Sequence, residues 1–266
     1  MNVGGHFTYA AKAGVGVVTG REMALAGLGC GVGGALVGTC FHKTTHLIKS
    51  ILWPEKKASS SSSAKREQYI SILKKTLVGF AIGLLSTKFP QTMFWGEGSL
   101  QCMVDGQCTP FSVTPHAIPS VMTQFARVNP NIPFSTQNSP LTAALQVGIA
   151  KFFAIALASA GRFPGGVIFP LLSNGASLSH GLVSALGSVT PFASSSLAVP
   201  MIVMSFMAAT LTSITRTPLA TVLILALTAS GQTPLSALLP GVLLASYISV
   251  WVSERLSKES FFSYAD

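Results

Sequence analysis

The groups in this chain best suited to do chemistry are backbone amides. The run Ser159-Ala160-Gly161-Arg162-Phe163-Pro164-Gly165-Gly166-Val167-Ile168-Phe169-Pro170 is a glycine- and proline-rich turn leading into an apolar stretch. A helix opening there exposes N–H groups that have no intrahelical acceptor, at the positive end of its dipole. Such an end binds anions, and glycine lets the backbone come close to the ion. The charge pattern points the same way. No Asp or Glu occurs between Asp105 and Glu254, whereas Arg127, Lys151, Arg162 and Arg216 all fall there. Ionisable residues inside membrane segments mark ion paths or their partners. Cation paths commonly use carboxylates, and this stretch has none. An anion needs positive potential and N–H donors, and the stretch supplies both.

The same absence removes any carboxylate acid/base pair from the hydrophobic half. No nucleophile–base or metal constellation replaces it, so a membrane enzyme is the weakest reading. His42 and His46 stand at i, i+4, but with no third ligand in place they read as interfacial or loop histidines. Cys30 and Cys40 sit in apolar, small-residue sequence and read as buried thiols. Cys102 and Cys108 lie near a loop and would pair only on an oxidising side.

Composition decides where these groups are placed. The chain is 49% hydrophobic and only 9% charged, against about 25% charged in soluble domains. So little charge cannot cover a water-facing surface, and lipid must cover part of it. The excess of basic residues, 17 against 8 acidic, does not form the basic face of a nucleic-acid binder. Its densest run, Lys56, Lys57, Lys65 and Arg66, brackets a serine tract and reads as a solvated linker at 54–67. Residues 23–41 form a first apolar stretch crowded with glycine, a spacing that lets membrane helices approach closely. Residues 70–85 form a second. The proline-rich stretch 107–140 reads as a connection outside the bilayer core, with helical turns around 120–127. From Leu141 the chain is almost continuously apolar, in segments 141–160, 167–186, 198–214, 218–229 and 235–252. A span takes about 20 residues, so several are short, and glycine and proline break them. Broken half-helices belong in membranes only where they are buried in protein or line a cavity, a pattern that points to transport.

Gly165-Gly166-Val167-Ile168-Phe169-Pro170 resembles the G-x-F-x-P selectivity segment of the CLC family of chloride channels and transporters. Gly166 and Pro170 match, Ile168 stands at the Phe position, and Phe169 comes one later. Ser213-Ile214-Thr215-Arg216-Thr217-Pro218-Leu219-Ala220 resembles the family's basic residue before Pro-Leu, with Ala226 where a Glu is common. Weaker matches are Phe94-Trp95-Gly96-Glu97, Lys151, and Lys258-Glu259-Ser260-Phe261-Phe262. The resemblance runs over roughly residues 20–266 in the family's order and corresponds to the second of two inverted halves. The family's G-S-G-I-P and G-K/R-E-G-P segments are not in these residues. Gly20-Arg21-Glu22 continues as Met23-Ala24 rather than Gly-Pro, and Glu22 reads as a first-turn residue whose charge suits the helix dipole.

The resemblance implies an all-α, multi-pass membrane fold of tilted, broken and re-entrant helices. Residues 1–21 would be an N-terminal flank and 22–266 a partial membrane domain. It implies passive or proton-coupled chloride movement and no cofactor. The chloride contacts would be Gly165, Gly166, Val167 and Ile168, with the family's anion-contacting Tyr falling on Phe262, less naturally on Phe261. Phenyl rings have no hydroxyl to donate. It implies a homodimer in the lipid bilayer and no nucleic-acid partner. An incomplete or split subunit that needs a chain supplying the first half, or a non-transporting scaffold, are the other readings.

Overall fold

The computed structural model describes residues 20–54, 64–89, 92, 140–187, 198–228, 235–257 and 261. They form seven helices: α1 (Gly20–Leu52), α2 (Ala64–Lys88), α3 (Pro140–Ala160), α4 (Ile168–Gly187), α5 (Ala198–Thr215), α6 (Pro218–Thr228) and α7 (Leu235–Leu256). There is no strand among the described residues, and the fold is all-α. Cys102, Cys108, Phe262, the weak match at 94–97 and nearly all of the connection at 107–140 lie outside the described residues.

Proline sets where several helices begin. Pro140 and Pro218 are the first residues of α3 and α6, and Pro170 and Pro200 sit in the first turns of α4 and α5. The missing N–H costs nothing there, because first-turn amides have no intrahelical acceptor. Two apolar segments end differently from expectation. The first continues through His42 and His46 to Leu52 as one 33-residue helix. Its buried stripe also continues, through Gly34, Gly38, Phe41 and Thr45, at steps of four, three and four. The second begins at Ala64, inside the range read as linker.

The glycines of α1 are its packing face. A Cβ on Gly27 would lie 3.1 Å from the Gly241 carbonyl oxygen, and one on Gly31 would lie 2.8 Å from Ile248, both on α7. A Cβ on Gly34 would overlap Ala209, and one on Gly38 would overlap Ser213, both on α5. Each interior glycine costs a helix about 1 kcal/mol of propensity; close backbone approach with its dispersion contacts offsets that cost in lipid. The opposite face of α1 carries Leu25, Leu28, Val32 and Leu36, all exposed. Cys40 continues this outward stripe and is exposed, not buried as expected. In a membrane helix an apolar neighbourhood marks the lipid side as readily as the protein side.

α5 is the centre. Every residue from 201 to 214 is buried, and α5 packs against α1, α4, α6 and α7. Its hydroxyls are satisfied mostly at short range: Thr210 donates to the Phe206 carbonyl at 2.9 Å and Thr212 to the Ala208 carbonyl at 2.7 Å. Ser249 of α7 donates across to the Ala209 carbonyl. Two helices are long and apolar enough to cross a membrane, α1 over Met23–Leu52 and α2 over Arg66–Lys88. Shorter apolar helices, such as Leu145–Ala160 and Pro200–Thr215, pack among them. α2 touches the bundle chiefly through α3, and Leu73, Leu77, Phe80 and Leu84 stand exposed along it.

Candidate anion site

The turn before α4 is built by the way α3 ends. Phe163 N–H donates to the Ala158 carbonyl at 3.1 Å and Arg162 N–H to the Ser159 carbonyl at 3.2 Å. This six-to-one and five-to-two pair is a Schellman cap, with the residue after the helix in the left-handed region. That residue is Arg162, φ 58°, although glycine is usual there and Gly161 is its neighbour. A side chain in that region is strained, and the surroundings hold it: the Arg162 guanidinium lies 4.6 Å from the Trp53 ring centroid. Trp53 Nε1 in turn donates to the Ala160 carbonyl at 3.0 Å, taking up one of the last carbonyls of α3. Lys74 lies 5.3 Å from the same ring and donates to the Leu52 carbonyl at the end of α1.

From this anchor the chain runs without helix to Ile168. Leu171 N–H donates to the Val167 carbonyl at 3.0 Å, so Val167 is the N-cap of α4 and Ile168 its first helical residue. The amides of Val167, Ile168 and Phe169 therefore precede the first intrahelical donor, and Pro170 contributes no N–H. Gly165 and Gly166 are exposed, and a Cβ on either would meet nothing within 4 Å.

They face open space because a cavity of about 220 Å³ lies there, lined by Gly165, Gly166 and Val167 from the turn, by Lys151 of α3 and by Thr92. Lys151 is 3% exposed and donates to the Thr92 carbonyl at 3.1 Å. It is the only charged residue among the described residues lining the cavity. Of the expected site residues, the cavity thus collects Gly165, Gly166 and Val167. Ile168, whose side chain is exposed, does not line it.

Phe261 sits elsewhere. It packs 5.6 Å from Phe41 and 6.1 Å from His42, and lines a second cavity of about 10 Å³ with Thr39, Ser213, Arg216 and Ser257. Arg216 repeats the device at Arg162. It follows α5 at φ 55°, its N–H donates to the Thr212 carbonyl, and its Nη2 donates to the Ser257 carbonyl at 2.7 Å. It thereby ties the end of α5 to the end of α7. The sequence reading had missed Trp53, Lys74 and Thr92 as parts of these sites. An aromatic residue directly after an apolar helix, as Trp53 is, was the available signal.

Among the described residues, the helices turn large apolar side chains outward, pack through glycines on α1 and leave a cavity lined by one lysine at a helix start, as a helical membrane protein would. The family model described as voltage gated chloride channel matches residues 7–254, and the chain belongs to that family. No curated protein matches it.

Proposed function

We propose that this chain moves chloride, with the cavity at the start of α4 as its anion site. The observation that carries the reading is the coincidence of glycine-flanked first-turn amides with one buried ammonium and no lining carboxylate among the described residues. Val167 and Ile168 N–H donate to the ion, Gly165 and Gly166 leave it room, and Lys151 supplies positive potential. Phe262 borders the path, as the family pattern implies. The chain works as a homodimer, and donors from first-half segments of the G-S-G-I-P and G-K/R-E-G-P type complete the pore. Those two segments do not occur in these 266 residues, and their donors come from further residues, on the same chain or on another.

The test is chloride efflux from liposomes holding residues 1–266 alone and then together with a chain carrying both first-half segments. Weak efflux in the first case and selective efflux in the second is expected. Robust selective efflux from 1–266 alone would show the half to be sufficient, and no flux in either case favours a non-transporting scaffold.

A further inference from the structure

We propose that the ends of α1 and α3 and the side of α2 at Lys74 form, around Trp53, a binding site for the phosphate headgroup of an anionic phospholipid. Position, charge and surface point to it. α1 ends at Leu52, after a last stretch that holds Lys43 and Lys49, and Lys74 reaches the Leu52 carbonyl. Lys74 therefore stands at the basic end of α1, and Trp53, directly after α1, is where membrane helices concentrate tryptophan.

Two cations share this one indole, Lys74 and Arg162. The ring quadrupole attracts each of them, but they repel one another, and neither meets a carboxylate among the described residues. Lys75 follows Lys74 on α2 and is exposed, as is Arg162. The only carboxylate on α2 is Glu67, about two turns earlier. An anion between these groups removes the repulsion.

The surface selects a lipid over a dissolved phosphate. Leu73 and Leu77, which flank Lys74 on α2, are exposed, so the cationic patch adjoins an apolar helix face along which acyl chains lie. Basic residues at the end of a membrane helix attract anionic lipid by about fivefold each.

The test uses the full 266-residue chain with Trp95→Phe and Trp251→Phe, leaving Trp53 as the reporter, in phosphatidylcholine bilayers. Brominated phosphatidylglycerol and brominated phosphatidylcholine are compared as quenchers at equal mole fraction. Trp53 should show a preference of about tenfold or more for the anionic quencher. Lys75→Gln, which removes no described contact and so preserves the fold, should lower that preference about fivefold, and adding Arg162→Gln should lower it again. Equal quenching by the two lipids, or a preference surviving both substitutions, overturns the proposal. Displacement of the lipid by soluble glycerol phosphate at matched concentration overturns the lipid as the source.

Discussion

Ile168→Pro is the most pointed probe of the anion site. Ile168 is the first helical residue of α4, because Val167 before it accepts the first intrahelical bond, from Leu171. Proline is favoured at that position: its fixed φ suits the helix, and no intrahelical hydrogen bond is lost. The residue before a proline is pushed out of the helical region, which an N-cap such as Val167 already avoids. The Ile168 side chain is exposed, so removing it opens no core cavity. The substitution therefore deletes one N–H donor and little else. A hydrogen bond to a charged group is worth about 1.5–3 kcal/mol, so chloride affinity should fall roughly ten- to a hundredfold while the melting temperature barely moves. Ile168→Ala is the control, since it trims the side chain and keeps the N–H. Chloride titration calorimetry in detergent reads both. If the proline and alanine variants bind chloride equally, the α4 amides do not contact the ion and the site is misplaced.

Other expectations follow from the packing and the charge. Lys151→Gln should weaken chloride binding by about 2 kcal/mol, taking an effective dielectric near 20 and a separation of about 8 Å; unchanged affinity in the same titration would remove Lys151 from the site. Gly34→Leu should cost about 1–3 kcal/mol or more by overpacking α1 on Ala209, whereas Gly29→Leu, with open space around it, should raise the detergent melting temperature slightly, from up to about 1 kcal/mol of helix propensity. Arg162→Gly should come out near neutral in stability, because relief of the left-handed strain and loss of the Trp53 contact are each about 1 kcal/mol, while Arg162→Ala should lose about that amount; equal melting temperatures for the two would contradict this division. Asn174 is fully buried, and neither amide atom finds a hydrogen-bond partner among the described residues. Asn174→Leu should therefore raise stability by about 1–3 kcal/mol, and a lowered melting point would reveal a partner for the amide.

What the sequence discloses here depends on whether a feature is local. The glycine spacing of α1 announced a close approach, since a missing side chain is itself the contact. Nothing in α1 named α5 and α7 as the partners. The Pro-Gly-Gly turn and the helix after it were legible because proline and glycine act on their own backbone. The Lys151–Thr92 bond joins residues 59 apart in sequence and left no trace in either neighbourhood. The end of α1 was misjudged because His42, Lys43 and His46 looked like a boundary, while the buried residues beneath them kept the helical period. Cys40 was misjudged because hydropathy alone cannot say which apolar face meets lipid. The left-handed Arg162 was hidden by Gly161 beside it, the residue that composition would nominate for that conformation.

α1 is a helix of 33 residues, and its glycines set its lean against its neighbours: the earlier pair, Gly27 and Gly31, rests on α7, and the later pair, Gly34 and Gly38, on α5. α1 is thus seated on two neighbours with no side chain of its own at those seats, directly against Leu244 and Ile248 of α7 and Ala209 and Ser213 of α5. A thicker or thinner bilayer that alters the lean must move α5 and α7 with it, so membrane thickness becomes a mechanical input to the centre of the bundle.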